Sequence, residues 1–171
     1  TCNDNICIKF HSSAENKIYE KYLKLNNNSL YKIIDLNPLQ NINYEVLGGI
    51  IFMDLSIQHI IESSVPYLIN YLSMNKRTRS KVIISYILSN EFNIKQYSLI
   101  KSVNGIKISN LNNFINTVKN NIFFINKKPF VYILLEDDNH LLLDLQKCYN
   151  IDKHINLSYN YNLSNVYHSI L

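Results

Sequence analysis

The spacing of apolar and polar residues predicts a chain that alternates between strands and short helices. Residues 5–11 alternate as a strand does, whereas residues 17–25 fit either a helix face or the second strand of a hairpin. Residues 50–53 form an apolar run, and residues 81–88 are apolar on both faces. Both patterns are typical of buried strands.

Two hairpins are predicted in the second half of the chain. The dipeptide Asn-Gly at 104–105 separates the apolar runs 98–103 and 106–108, and this dipeptide is a strong hairpin signal. Residues 130–136 and 140–145 form a second pair of runs around an Asp-Asp-Asn turn.

Capping residues and apolar spacing predict the helices. Ser56 is the expected N-cap of the first helix, and Pro66 is the expected start of a second, short one. Ser109 or Asn110 caps a third, amphipathic helix. A short helix is expected over residues 144–151, and the Asn- and Tyr-rich tail beyond it is expected to be loosely ordered.

This order of elements indicates a mainly β fold with helices. The expected architecture is a small, partly open antiparallel β-barrel, flanked by an amphipathic groove helix and by a helical insert around Pro66. The strand over residues 50–53 would form one wall of an open groove, and the helix over residues 111–118 would form the other.

The stretch around Gly48 and Gly49 is the candidate for binding chemistry. These are two of only three glycines in the chain, and they stand directly before the apolar run 50–53. Glycine allows a tight bend that leaves backbone N–H groups uncovered. Such a loop can capture a terminal carboxylate, and the strand that follows can pair with the peptide behind it.

Composition and charge narrow the function classes. The 171 residues are 47% hydrophobic, and the net charge of +4 is well short of that of a nucleic-acid-binding protein. The basic stretch 74–80 is expected to be a solvated loop.

Three cysteines without framework spacing favour a reducing intracellular compartment. No apolar run has the roughly 20 residues that a membrane span needs, and the missing initiator Met suggests a fragment of a longer chain.

The chain carries none of the common catalytic or cofactor motifs. There is no His-Glu-x-x-His, Cys-x-x-Cys, phosphate-binding loop or glycine-flanked serine, and the five histidines are scattered. The acidic residues at 137–138 are best explained as turn residues, without the convergent ligands of a metal site. We therefore expect no catalysis by this chain, no cofactor and no metal.

Three stretches together resemble a known family. They are YEVLGGIIFMDLS (44–56), KVIISYILSNEFNI (81–94) and SVNGIKISNLNNFINTV (102–118). In this order they are similar to the C-terminal, second PDZ domain of Deg/HtrA-type (DegP-like, protease Do-like) serine proteases of the plant and protist kind. The long insert around Pro66, the loop at 127–129 and the acidic Glu45 beside the glycine loop depart from the family pattern.

The resemblance implies a domain organisation and a peptide groove. Residues 1–37 would be a hairpin and linker that end a preceding PDZ domain, 38–147 the PDZ-like domain, and 148–171 a C-terminal extension. The implied groove residues are Leu47, Gly48, Gly49, Ile50, Ile51, Phe52, Met53, Leu111, Phe114, Ile115 and Val118.

The resemblance also implies a function. The domain would be a non-catalytic module for protein interaction, oligomerisation and regulation in an ATP-independent serine endopeptidase of protein quality control. Its partners would be peptide or protein segments, and the full-length protein would be a homo-oligomer. Two alternatives are a free-standing peptide-binding adaptor and an RNA-binding domain, and the second is disfavoured because the aromatic residues are not grouped on one strand face.

A segment of the same polypeptide is a further candidate ligand for the groove. Ser169-Ile170-Leu171 has the form of a PDZ ligand, with a hydroxyl residue followed by an apolar terminal residue. The alternative internal occupant is the segment over residues 30–43 that leads into the glycine loop.

Overall fold

The computed structural model describes residues 5–24, 33 and 41–169, and the strands in these ranges form three antiparallel sheets. The strands are β1 (Asn5–Ser12), β2 (Lys17–Lys24), β3 (Glu45–Leu47), β4 (Ile50–Asp54), β5 (Val82–Ile87), β6 (Ile100–Val103), β7 (Ile106–Lys107), β8 (Phe123–Ile125), β9 (Lys128–Leu135) and β10 (His140–Asp144). The helices are α1 (Ile57–Ser63), α2 (Pro66–Ile69), α3 (Met74–Arg77), α4 (Leu111–Asn120) and α5 (Leu145–Tyr159).

The N-terminal hairpin is a two-stranded sheet of its own. β1 pairs with β2 in a regular antiparallel register from Asn5 opposite Lys24 to Ser12 opposite Lys17. The predicted strand over residues 5–11 is confirmed, and the ambiguous segment 17–25 forms the second strand. Large apolar side chains of this hairpin are exposed, including Phe10 and Ile18.

The second sheet is built around β4, which has a neighbour on each side. β3 joins β4 through the two-residue turn Gly48-Gly49, with Leu47 opposite Ile50. Both glycines have positive φ, 64° and 76°, which is the geometry of a type I′ hairpin turn. β5 pairs along the other edge of β4. The predicted strands over 50–53 and 81–88 are confirmed.

The third sheet has the order β10-β9-β6-β7, with β8 also on β9. Both predicted hairpins are present, β6–β7 around Asn104-Gly105 and β9–β10 around residues 136–139. β8 is an element that the sequence reading did not predict. It is only three residues long, too short for an alternating pattern to be recognised.

The helices begin largely where the capping residues predict. Ser56 caps α1, Pro66 is the first residue of α2, and Asn110 caps α4 by accepting from the Asn113 N–H. The basic stretch 74–80 is only partly a loop, since its first four residues form α3. α5 ends at Tyr159 and is therefore about twice as long as predicted.

The segment after α5 is packed on the main core, so the prediction of a loosely ordered tail is wrong for residues 160–168. Val166 and Tyr167 are 0% and 2% exposed, and both belong to the same cluster as Phe52 and Phe114. A second, smaller cluster lies under the helical insert and includes Leu55, Leu68 and Ile83.

The fold is mixed β with helices, as expected, and its sheets are antiparallel. Among the described strands the sheets do not close into a barrel. Within the described residues, no helix is both long enough and apolar enough to cross a membrane.

Candidate functional site

The glycine loop binds a carboxylate that belongs to the chain itself. The Gly48 N–H donates to Asp152 Oδ2 at 2.9 Å, and the Gly49 N–H donates to Asp152 Oδ1 at 2.6 Å. The positive φ of both glycines points these two N–H groups to the same side of the turn. The N–H groups of this loop therefore bind a carboxylate as expected, but they are buried rather than uncovered, and the carboxylate is an internal side chain.

Two tyrosines from the C-terminal segment complete the surroundings of Asp152. The Tyr161 hydroxyl donates to Oδ1 at 3.1 Å, and the Tyr167 hydroxyl donates to Oδ2. Asp152 is 0% exposed. Burial and then the Asp152 charge raise the pKa of Tyr167 and of Tyr161, so both hydroxyls stay protonated and act as donors. With two N–H and two O–H donors, the buried carboxylate is well compensated.

Helix α5 positions Asp152 because one of its faces is buried. Asp144 caps the helix by accepting from the Gln146 and Lys147 N–H groups at 3.0 and 3.1 Å. Leu145, Cys148 and Asp152 follow at intervals of three and four residues, so they share the buried face.

The close approach of α5 also explains the glycine at 48. A Cβ at this position would lie 2.8 Å from Cys148 Sγ and 2.8 Å from Phe92 Cε2.

The edge of β4 next to the glycine loop is occupied by β3. Ile50, Ile51 and Phe52 pair with Leu47, Val46 and Glu45, respectively. Helix α4 packs across the same strand, where the Phe52 and Phe114 rings stack with centroids 4.6 Å apart. The start of α4 is held by the Leu111 N–H, which donates to Asp54 Oδ1 at 2.8 Å. A glycine loop, a strand and an amphipathic helix thus lie together, and the Phe52 and Phe114 side chains fill the space between the strand and the helix.

The sequence matches the model of the PDZ domain family over residues 32–164, which is more than half of the chain. The chain belongs to the PDZ domain family. No curated protein matches it in sequence. Membership of the PDZ domain family implies binding of peptides or proteins.

The predicted groove residues of this PDZ domain lie together, and most of them are core residues. Leu47, Ile50, Phe52, Phe114 and Val118 are 0% exposed, and Gly48, Gly49, Met53 and Leu111 are also buried. Ile51 and Ile115 are half-buried. Their role in binding a peptide stays a prediction.

The proposed tail ligand lies largely outside the described residues. The Leu171 carboxylate was expected at the N–H groups of Gly48, Gly49 and Ile50, and neither Ile170 nor Leu171 is described. Most of the alternative segment 30–43 is likewise outside the described residues.

A cleft lies beside this PDZ core, between residues 42–46, the first half of α4 and residues 162–165. Its volume is about 350 Å³. The residues that line it are Ile42, Asn43, Tyr44, Glu45, Val46, Leu111, Asn112, Ile115, Asn162, Leu163, Ser164 and Asn165. Sequence reasoning identified Leu111 and Ile115 and missed the others. Periodicity carries no signal that residues 162–165 fold back beside α4.

Glu45 stands out among the residues that line the cleft. Its Oε1 atom is buried and has no hydrogen-bond partner within the described part of the chain. Burial raises the pKa of Glu45, and the negative charge of Asp152 raises it further. A hydrogen bond with the Ser164 side chain and the charge of Lys119 act in the opposite direction.

A buried Ser–His–Ser arrangement near α1 is a helix cap. His59 Nδ1 accepts from the Ser56 N–H at 3.1 Å, so the ring hydrogen of the neutral histidine is on Nε2. Nε2 then donates to Ser85 Oγ at 2.9 Å. The described residues also contain no group of three or more His, Cys, Asp and Glu side chains placed to hold a metal ion.

Proposed function

We propose that this PDZ domain binds an internal segment of a partner polypeptide in the cleft between residues 42–46 and α4, rather than a free C-terminus in the glycine loop. The observation that carries this proposal is the Asp152 carboxylate, which accepts from both glycine N–H groups. A terminal carboxylate would have to displace the buried Asp152 carboxylate from both N–H groups.

The occupied edge of β4 supports the same proposal. β3 pairs with Ile50–Phe52 on one side and β5 pairs on the other, so an incoming strand would have to break an existing ladder. The cleft lies one strand further out, and Leu111 and Ile115 of α4 still form one of its walls. Residues 42–44 form its other rim; they are exposed and belong to no strand. Within the described part of the chain their backbone groups make no backbone–backbone hydrogen bond, so they can pair with an extended segment.

We further propose that the domain is a non-catalytic interaction, assembly and regulatory module of a Deg/HtrA-type serine endopeptidase of protein quality control. The resemblance of residues 44–56, 81–94 and 102–118 supports this origin. In this proposal the full-length protein is a homo-oligomer of a reducing intracellular compartment. The upstream sequence of the parent gene decides between this proposal and a free-standing adaptor, because a protease carries a Gly-x-Ser-Gly-Gly motif there.

A display experiment tests the binding mode. Random ten-residue segments are presented either internally, between two folded domains, or at a free C-terminus. We expect enrichment of internal segments only, with amide shifts at Asn43, Tyr44 and Asn112. Asn112→Arg, which fills the cleft, should abolish binding, whereas Asn150→Arg on exposed α5 surface should not. Enrichment confined to free C-termini, with shifts at Gly48 and Gly49, would overturn the proposal.

A further inference from the structure

Among the described residues that line the cleft, one is charged. Glu45 contributes a carboxylate, and the other lining side chains are apolar or carry amides and hydroxyls. Asparagine side chains at 43, 112, 162 and 165 place four amide groups around the same space. Each amide oxygen can accept hydrogen bonds from an N–H donor.

The Glu45 carboxylate is incompletely compensated within the described part of the chain. Its Oε1 atom is buried without a partner, while Asp152 adds a second negative charge nearby. An unsatisfied buried acceptor destabilises a protein by the cost of its lost hydration. Asp152, by contrast, has four donors. The difference indicates that Glu45 is arranged to receive a donor from outside the domain.

Resting on the proposed function, we propose that the cleft selects a segment with a lysine or arginine, whose side-chain N–H groups donate to the carboxylate of Glu45, which lines the cleft. A charge-assisted bond of this kind is stronger than one between neutral groups. The cleft volume of about 350 Å³ accommodates either side chain. A divalent cation fits less well, because tight Ca²⁺ binding depends on several charged ligands and Glu45 is the one carboxylate among the described residues that line the cleft.

Lys119 limits the strength of this attraction. The positive charge of Lys119 partly offsets the negative charge of Glu45. Lys119 is a residue of α4 and is not among the residues that line the cleft. Removing the Lys119 charge therefore leaves the binding surface intact and makes the field at Glu45 more negative. This variant provides a test that does not alter the carboxylate.

The probes are four acetylated and amidated octapeptides in a threonine–valine background, with Lys, Arg, Met or Glu at one central position. Fluorescence polarisation with the whole chain gives their relative affinities. We expect the Lys and Arg peptides to bind about tenfold or more tightly than the Met peptide, and the Glu peptide to bind worst. Equal binding of all four overturns the basic selectivity and leaves the proposed function standing. No binding of any of the four overturns both.

Three variants test whether Glu45 causes the selectivity for a basic residue. In Glu45→Gln the Lys and Met peptides should bind about equally. In Lys119→Gln the preference for the Lys peptide over the Met peptide should increase. Glu20→Gln, an equal change of charge on the N-terminal hairpin, should leave it unchanged. Thermal melting of each variant checks folding, and Lys119→Gln decides the question if Glu45→Gln is unfolded. A preference that does not respond to Lys119→Gln, or that persists in folded Glu45→Gln, overturns the assignment.

Discussion

At the scale of single residues, Asp152 takes the place of a ligand. In this PDZ domain the carboxylate oxygens of Asp152 accept hydrogen bonds from the Gly48 and Gly49 N–H groups. The two N–H groups make this turn an anion-binding site. An intramolecular carboxylate does not lose translational freedom on binding, so it competes strongly with a free peptide terminus. The glycine loop therefore fastens α5 to the β3–β4 hairpin.

Gly48 and Gly105 provide a matched pair for testing how closely α5 packs against the glycine turn. Both have positive φ, so alanine at either position costs about 1 kcal/mol in backbone strain. A Cβ at Gly105 has no neighbour within 4 Å, whereas one at Gly48 would lie against Cys148 and Phe92.

We expect Gly105→Ala to reduce the free energy of unfolding by about 1 kcal/mol and Gly48→Ala to reduce it by about 3 kcal/mol. Urea denaturation monitored by circular dichroism measures both values. Equal losses in the two variants would mean that α5 does not pack against the glycine turn.

At the scale of elements, the entry into α1 depends on a buried neutral histidine. His59 accepts from the Ser56 N–H and donates to Ser85 on β5, which ties the start of the helix to the central sheet. Burial lowers the pKa of His59 from its ordinary value, and the charge of Glu62 acts in the opposite direction. Protonation would remove the acceptor at Nδ1 and with it the hydrogen bond from the Ser56 N–H, which is one half of the capping box.

The lowered pKa of His59 predicts a pH dependence of stability. Between the folded-state pKa and the ordinary value of 6.5, the unfolded chain binds more protons than the folded one. The contribution of His59 is therefore complete above about pH 6.5 and is lost as the pH falls below it.

Thermal melts of the wild type and of His59→Gln between pH 5 and 8 measure this contribution. We expect the difference in melting temperature between them to grow as the pH rises, while exposed His154→Gln follows the wild type. A difference that is constant over this range would contradict the buried neutral state. Because both proteins carry Glu45 and Asp54, whose raised pKa values act in the opposite direction, the comparison isolates His59.

At the scale of the whole molecule, the main core includes the C-terminal part of the chain. Cys148, Val166 and Tyr167 belong to the cluster that contains Phe52, Phe114 and the third sheet. The boundary predicted between residues 147 and 148 falls inside α5. The match to the PDZ domain family continues to residue 164.

Truncation tests whether residues 148–171 are part of the folding unit. We expect a chain that ends at residue 147 to lose its cooperative melt, because it lacks buried core residues and leaves the Gly48 and Gly49 N–H groups unsatisfied. Asp152→Asn in the full chain should fold with a loss of about 3 kcal/mol. Asp138→Asn, at an exposed position, should change the stability much less, because solvent screens its charge. A truncated chain that melts like the full one would place the boundary at 147, as the sequence predicts.

The sequence by itself determined the elements whose signals are local. Ser56 caps a helix and Pro66 begins one as predicted, and Asn110 is the cap where Ser109 or Asn110 was expected. Asn104-Gly105 also forms its hairpin, because capping and turn formation depend on residues a few positions apart. Tertiary structure alone decided what meets the glycine loop. Asp152 lies more than 100 residues beyond Gly48 in the chain, and no periodicity encodes that distance. The packing of α5 and of the two tyrosines decided it, because a buried carboxylate is stable only where several donors converge on it.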